Sequence, residues 1–382
     1  MNRSKNVLVD VKDGVFLDNW RIDAAEAGQS GNWSVTTRRM RGGLSDGVDV
    51  VTLNNGELSI DILPTRGMGI WRGEYQGIRL GWDAPVSLPV HPKFVDLQRR
   101  GGIGWLDGFN EWLCRCGLSF LGPPEPEEGT TLHGRISNQP AHQLWLEIDE
   151  DARTLAIVGI VEESSLFDAR LQLTSRVETS WDSGAISIVD EITNMGGTPA
   201  DVELLYHINN GPPVLGEGAT CVAAFESMAP RDARAAEGIS EWNRFAGPEA
   251  SYTEQAYFFQ PIPDDNGMAE VLLKNADNSA GLSVQFDQFS LPYFVLWKNT
   301  RAEADGYVCG LEPATCLPNT RTFEREQGRV ISLEAGQSRK CRLNLSVHSG
   351  AEDVSARVQS INATQQATEP TIHPKPIGNW SP

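Results

Sequence analysis

The chain predicts an all-β protein built as one large antiparallel β-sandwich. Three observations carry that expectation. Apolar and polar residues alternate with period two over residues 142–193, where Leu144, Leu146 and Ile148 point one way and Trp145 and Glu147 the other. Asn54-Asn55-Gly56 lies between two apolar runs and is a strong hairpin signal. The 37 glycines and 22 prolines punctuate the chain at a density that suits many short strands better than long helices.

Taken in order, residues 1–30 read as a polar lead-in with one or two strands. Residues 48–62 read as strand, turn and strand. A second turn at Gly67-Met68-Gly69 leads into Ile70, Trp71 and Arg72. Residues 84–130 are irregular, and their aromatic-rich part, 105–120, reads as a short helix or a loop over a pocket. Strands follow at 154–161, 170–178, 185–192 and 202–208, separated by turns such as Asp182-Ser183-Gly184, in the manner of a meander. Residues 212–255 are again irregular. Strands resume at 271–273, 281–286, 293–297, 307–311, 330–333 and 341–348. No repeat or linker divides the chain, so residues 1–350 are expected to form one domain. The polar stretch 351–382, proline-rich from Glu369, is expected to be an extended or disordered arm.

Composition narrows the function. A net charge of −19 argues against nucleic acid, which needs a basic surface. The short basic run Arg38-Arg39-Met40-Arg41 reads as a solvated loop or strand edge. No apolar run approaches the ~18–20 residues of a membrane span, and Met1 to Asp13 lacks the apolar core of a signal peptide. No membrane association and a cytoplasmic location are therefore expected. The cysteines, at 114, 116, 221, 309, 316 and 341, are expected to be reduced. Cys114-Arg115-Cys116 lacks a second pair at zinc-finger spacing and reads as small buried hydrophobes. Gly101-Gly102-Ile103-Gly104 is not a dinucleotide loop, and neither GxSxG nor HExxH occurs, so no cofactor is expected.

Glu312 stands out, in Gly310-Leu311-Glu312-Pro313, at the end of a strand-like run. It joins His133, in Leu132-His133-Gly134-Arg135, and His207, in Tyr206-His207-Ile208-Asn209. Two histidines and a glutamate, each closing an apolar stretch, suit acid–base chemistry on a small polar substrate. Each also has a plainer reading: a turn histidine, a core histidine and a surface carboxylate. A His₂Glu set can also hold zinc. Arg135 and Lys298 read as either substrate donors or solvated charges. Trp82, Trp105, Trp112 and Trp297 are available as an aromatic platform, and His91, His142, His348 and His373 read as structural or exposed.

These segments resemble the aldose 1-epimerase, or galactose mutarotase-like, superfamily over roughly residues 30–350. Leu132-His133-Gly134 resembles its Leu-His-Gly segment, whose histidine contacts sugar. His207 stands where the family has its general acid, and Leu311-Glu312 resembles the Leu-Glu pair that supplies the general base. Pro230-Arg231-Asp232-Ala233-Arg234 faintly resembles a segment whose aspartate binds hydroxyls, and Arg66 is the best match to an early arginine. The chain departs from the family after the acid histidine, where Ile208-Asn209-Asn210 replaces a proline and an aromatic. The resemblance implies a large β-sandwich with a cleft on one curved face. It also implies a small carbohydrate partner, no cofactor, a metal-free mechanism, and anomer interconversion with acid and base on opposite sides of the sugar. The alternatives are a carbohydrate-binding or sensing protein, or a keto-sugar isomerase or lyase on the same scaffold. The sequence does not give the oligomeric state.

Overall fold

A computed structural model of the protein describes residues 3–366 and 368–382. Strands hold 43% of the chain and helices 15%. They form two large sheets packed face to face. The ten-stranded sheet runs from Thr220–Ala223 at one edge, through Ser338–Ser349 and Ala185–Asn194, to Val15–Phe16 at the other. The fourteen-stranded sheet has the central order Gln255–Pro261, Tyr293–Asn299, Val308–Ala314, Ala200–Asn210, Leu113–Leu118, Gly69–Tyr75. Pairing between described strands is antiparallel except where Thr371–Ile372 runs parallel to Phe225–Pro230. The expected sandwich is therefore present, and the Asn-Gly turn joins Asp49–Asn54 to Leu58–Leu63 as a hairpin.

The two sheets differ in how they meet solvent, and that difference places the cavity. Strands Arg170–Ser180 and Ala185–Asn194 alternate buried and more exposed residues along their length, with one face on the core and one on water. Leu113–Leu118 and Val308–Ala314 are buried at every position. Their second face is covered by the irregular segment that precedes and follows Leu113–Leu118. Trp105, Phe109 and Leu121 pack there against Cys114, Cys116, Leu205 and Ala314. The reading of residues 105–120 as a short helix or a loop over a pocket holds for its first part, where Trp105, Leu106 and Phe109 line a cavity, and is corrected for the rest. Gly104–Asp107 is a single 3₁₀ turn, but Leu113–Leu118 is a central strand. Burial on both faces erased the period-two pattern that would have announced it. The 212–255 region likewise holds strands Thr220–Ala223 and Phe225–Pro230.

Polar staples join the layers. Asn55 Nδ2, from the hairpin of one sheet, donates to Thr179 Oγ1 at 2.7 Å and to two carbonyls of the other sheet's 179–183 turn. Arg115 crosses the core to Asp190, with further bonds to Ser175 Oγ at 2.8 Å and Met68 O at 2.7 Å, and Tyr206 Oη donates to the same aspartate. The buried guanidinium is thus fully supplied with acceptors, the condition under which such a charge is tolerated.

The stretch after residue 350 is folded, which corrects the expectation of an extended or disordered arm. Ala351–Gln365 is a helix whose Val354, Val358 and Ile361 share one face and pack against Ala224 and Leu272. Beyond it, Trp380 is buried among Ala229, Ala256, Phe258, Val295 and Leu317, and its carbonyl accepts from Asn319 Nδ2 at 2.8 Å. All six cysteines are free and buried. Among the described residues, no helix is long and apolar enough to cross a membrane.

Candidate active site

Strand register brings the singled-out residues together. Ile208 pairs with Leu311 and Asn209 with Gly310, so His207 stands directly across from Glu312 on the same sheet face. On the flanking strands Cys114 lies opposite His207, and Val295 opposite Glu312. His207 Nε2 is 3.2 Å from Glu312 Oε1, and both side chains are nearly inaccessible, at 6% and 4% exposure. Gly310 makes the meeting possible. A Cβ there would lie 2.3 Å from Glu312 Oε1 and 3.2 Å from His207 Cε1.

The third residue arrives from the covering segment. His133 sits in a turn with φ 57° and hydrogen-bonds Leu121 O through Nδ1 at 2.9 Å. Its ring is 5.7 Å from that of His207, nearly perpendicular. His133, His207 and Glu312 all line one cavity of about 690 Å³, a volume typical of small-molecule sites. Its walls are aromatic: the tilted rings of Trp105 and Phe109 meet at 4.5 Å, and Phe109 and Trp297 flank His207 at 5.1 and 5.3 Å. Trp82 and Trp105 line the cavity with Trp297, whereas Trp112 is core. The polar side is an ion pair. Arg231 donates to Glu254 at 2.9 Å, and the Trp297 indole donates to the other oxygen of Glu254 at 2.7 Å.

Electrostatics separate the three groups. Burial, with the His133 charge behind it, pushes His207 down to about 3, against a hydrogen bond to Asn209. Burial raises Glu312 well above the usual carboxylate range, and His133 only partly offsets it. For His133 burial also works against the cation, but Cys116 and then Glu312 outweigh it and hold the group up at about 9. Cys116 falls to about 6, because its bond to Cys114 and the His133 charge overcome burial. The buried site therefore favours a cation at His133 and a neutral His207 beside a protonated Glu312. Among the described residues, no group of three or more His, Cys, Asp or Glu is set to hold a metal ion.

Four residues expected at the substrate lie outside the cavity wall. Lys298 is on the opposite face of the sheet from Trp297, where its Nζ donates to Glu241 O and Arg244 O at 2.8 and 2.7 Å. Asp232 caps the helix Ala233–Glu237 by accepting from Ala235 N at 2.8 Å. Arg66 is buried behind the wall, paired with Glu111 at 2.7 Å and bonded to Asn138 Oδ1 and Gly108 O. Arg135 follows the His133 turn without lining the cavity, its N–H bonded to Gly117 O. Sequence reasoning missed Arg231, Glu254, Asn209 and Gly310. Arg231 lay one residue from the aspartate chosen, and Gly310 two residues before Glu312 on the same strand face. Nothing in the sequence marked Glu254.

Comparison with known proteins adds the lineage. Residues 45–347 match the family described as a domain of unknown function, DUF4432. No curated protein matches. A crystal structure from Klebsiella pneumoniae subsp. pneumoniae, of a protein provisionally named an aldose 1-epimerase, is 34% identical. It superposes with a TM-score of 0.96 over 99% of this chain and 100% of its own. A galactose mutarotase-like protein from Clostridium acetobutylicum shares the fold at 15% identity and TM-score 0.56, covering 87% of this chain and 99% of its own. A galactose 1-epimerase from Lactobacillus acidophilus does so at 13% and 0.53, covering 83% and 99%. The chain belongs to the DUF4432 family and has the galactose mutarotase-like fold.

Proposed function

We propose that this protein binds a free or modified sugar and interconverts its anomers by acid–base ring opening. The observation that carries the reading is the His207–Glu312 contact at 3.2 Å on the wall of an aromatic cavity of about 690 Å³. Ring opening needs a proton taken from the anomeric hydroxyl and one given to the ring oxygen. Both oxygens are bonded to the same carbon, so an adjacent acid and base can serve them together. The Trp82, Trp105 and Trp297 rings offer apolar faces for the C–H surfaces of a pyranose. The Arg231–Glu254 pair offers donors and an acceptor to its hydroxyls. His133 acts by charge: a cation there stabilises negative charge gained by Glu312 when its proton leaves. The name of the Lactobacillus acidophilus relative supports the reaction class. Six free thiols fit a reducing compartment, the cytoplasm.

The test is kinetic. Glu312→Gln keeps the shape but loses the exchangeable acid, and His207→Asn removes the partner. Each is expected to slow anomer exchange by roughly 10²-fold or more while binding, followed by calorimetry, changes far less. Unchanged exchange in both variants on a turned-over sugar would remove these residues from the reaction.

A further inference from the structure

We propose that the cavity takes a sugar bearing an anionic group, a carboxylate or a phosphate, at the end remote from its anomeric carbon. Arg301 is its principal anchor, and Arg231 and Arg100 complete a cationic mouth. The proposal deepens the functional reading above and rests on it for the orientation of the sugar.

Charge is distributed unevenly between the molecule and its cavity. The chain carries 51 acidic against 32 basic side chains. On the cavity wall Arg100, Arg231 and Arg301 stand with the carboxyl groups of Glu254, Asp305 and Glu312, and burial favours the neutral form of Glu312. His133 adds a cation at the floor. A cleft whose charge runs against that of the whole surface gathers anions, because its low-dielectric walls focus the field.

The guanidinium groups have N–H groups left over. Arg301 is exposed, and its one bond within the protein runs from Nε to Tyr252 O at 3.2 Å. Among the described residues, both of its Nη groups are without an acceptor. Arg231 donates from Nε to Asp232 and from Nη2 to Glu254, which leaves Nη1. Residues 252–254 set these two arginines side by side, one against the carbonyl of Tyr252 and the other against the carboxylate of Glu254. Arg100 comes from the covering segment. It pairs with Asp107 at 2.6 Å, but Asp107 also holds Arg99 at 2.9 Å, so this trio keeps a net positive charge. The Arg100 backbone sits at φ 56°, ψ 40°, a left-handed geometry that a β-carbon makes costly, and its side chain lies on the cavity wall.

A neutral sugar does not match this wall. Each of its hydroxyls brings a hydrogen that needs an acceptor, whereas guanidinium groups only donate. Glu254 and Asp305 can meet one or two of those hydrogens. The remaining N–H groups call for oxygens that carry none. A carboxylate or phosphate supplies such oxygens, and the guanidinium fork takes them two at a time. Burial orients the sugar. His207 and Glu312 are nearly inaccessible at the floor, while Arg100 and Arg301 are exposed at the mouth. With C1 over the floor, the anionic group falls at the far end. There it keeps part of its hydration, so little desolvation opposes the pairing.

The test compares matched sugars on the full chain: D-glucose and D-galactose, the corresponding uronates and the corresponding 6-phosphates. Anomer exchange is read by NMR and binding by calorimetry. At least one acidic sugar should show kcat/KM about tenfold or more above its neutral parent, the scale of one charge-assisted hydrogen bond. Whether the uronate or the phosphate responds identifies the anionic group. The preference should shrink as salt is raised. Arg301→Gln should lower the acidic-to-neutral ratio of kcat/KM by about tenfold, through KM, and adding Arg100→Gln should lower it further. An arginine with a merely structural role would move both sugars together and leave the ratio unchanged. Neutral parents turned over as well as their acids, or a preference that survives in the double variant, would overturn the proposal and leave the functional reading standing. Failure of every acidic sugar to bind would overturn it too. Acidic sugars that bind through these arginines with no acceleration of their exchange would instead overturn the functional reading and leave the ligand class in place.

Discussion

Gly310 shows how much of the site depends on a single missing atom. Glu312 reaches His207 only because the position before it on the same strand face has no side chain. Gly310→Ala should force the carboxyl aside, costing about 1–3 kcal/mol as overpacking does. It should slow anomer exchange out of proportion to that cost. Thermal unfolding and exchange kinetics on one preparation would separate the two effects; a stable variant with full turnover would show that the contact is not needed. The residue types at 133, 207 and 312 were legible because each sits in a short motif ending an apolar run. Lys298 was not, because side chains alternate along a strand and the sequence does not give the register. Val295 pairs with Glu312, so Trp297 shares the cavity face and Lys298 points away from it. Asp232 was chosen for its chemistry, but its oxygen is used by the helix that follows it.

At the scale of elements, the cavity is the joint product of a sheet and its cover. Four neighbouring strands present a row of residues from Cys114 to Val295, and the covering segment lays Trp105, Phe109 and His133 over it. The cover is held by Arg66, whose side chain and that of Glu111 are both fully inaccessible. Arg66→Ala should therefore destabilise the protein by about 3–5 kcal/mol, since it strands a buried carboxylate. Denaturant unfolding measures this directly, and a change within experimental error would mean that the cover stands without its brace. Exposed-face alternation made the ten-stranded sheet readable from sequence. The cover hid the other sheet's centre, because strands buried on both faces lose their polar alternation. The helix Ala351–Gln365 was readable in principle from Val354, Val358 and Ile361, but its polar remainder dominated the composition of the segment.

For the whole molecule, stability and activity meet at buried carboxylates. Glu203 is fully buried, with Oε2 accepting from Leu121 N at 2.8 Å and Oε1 without an aligned partner. Burial raises its pKa to about 7 from an ordinary 4.5. Between those two values the folded protein holds a proton that the unfolded chain has lost, so stability falls as pH rises through that window and levels off above it. Glu203→Gln should remove this slope and leave the protein more stable than its parent at pH 8. Parallel pH–melting curves would show the difference, and identical curves would contradict the assignment.

The chemistry proposed for the cavity rests on one claim: it opens and recloses a sugar ring. The most direct measurement is two-dimensional exchange NMR of anomer interconversion across a panel of neutral, acidic and phosphorylated sugars, with calorimetric binding in parallel. The expected result is at least one sugar whose anomers exchange faster with the unmodified protein and at the background rate with Glu312→Gln. Tight binding of a sugar with no acceleration of its exchange would contradict the account and make the protein a carbohydrate-binding one.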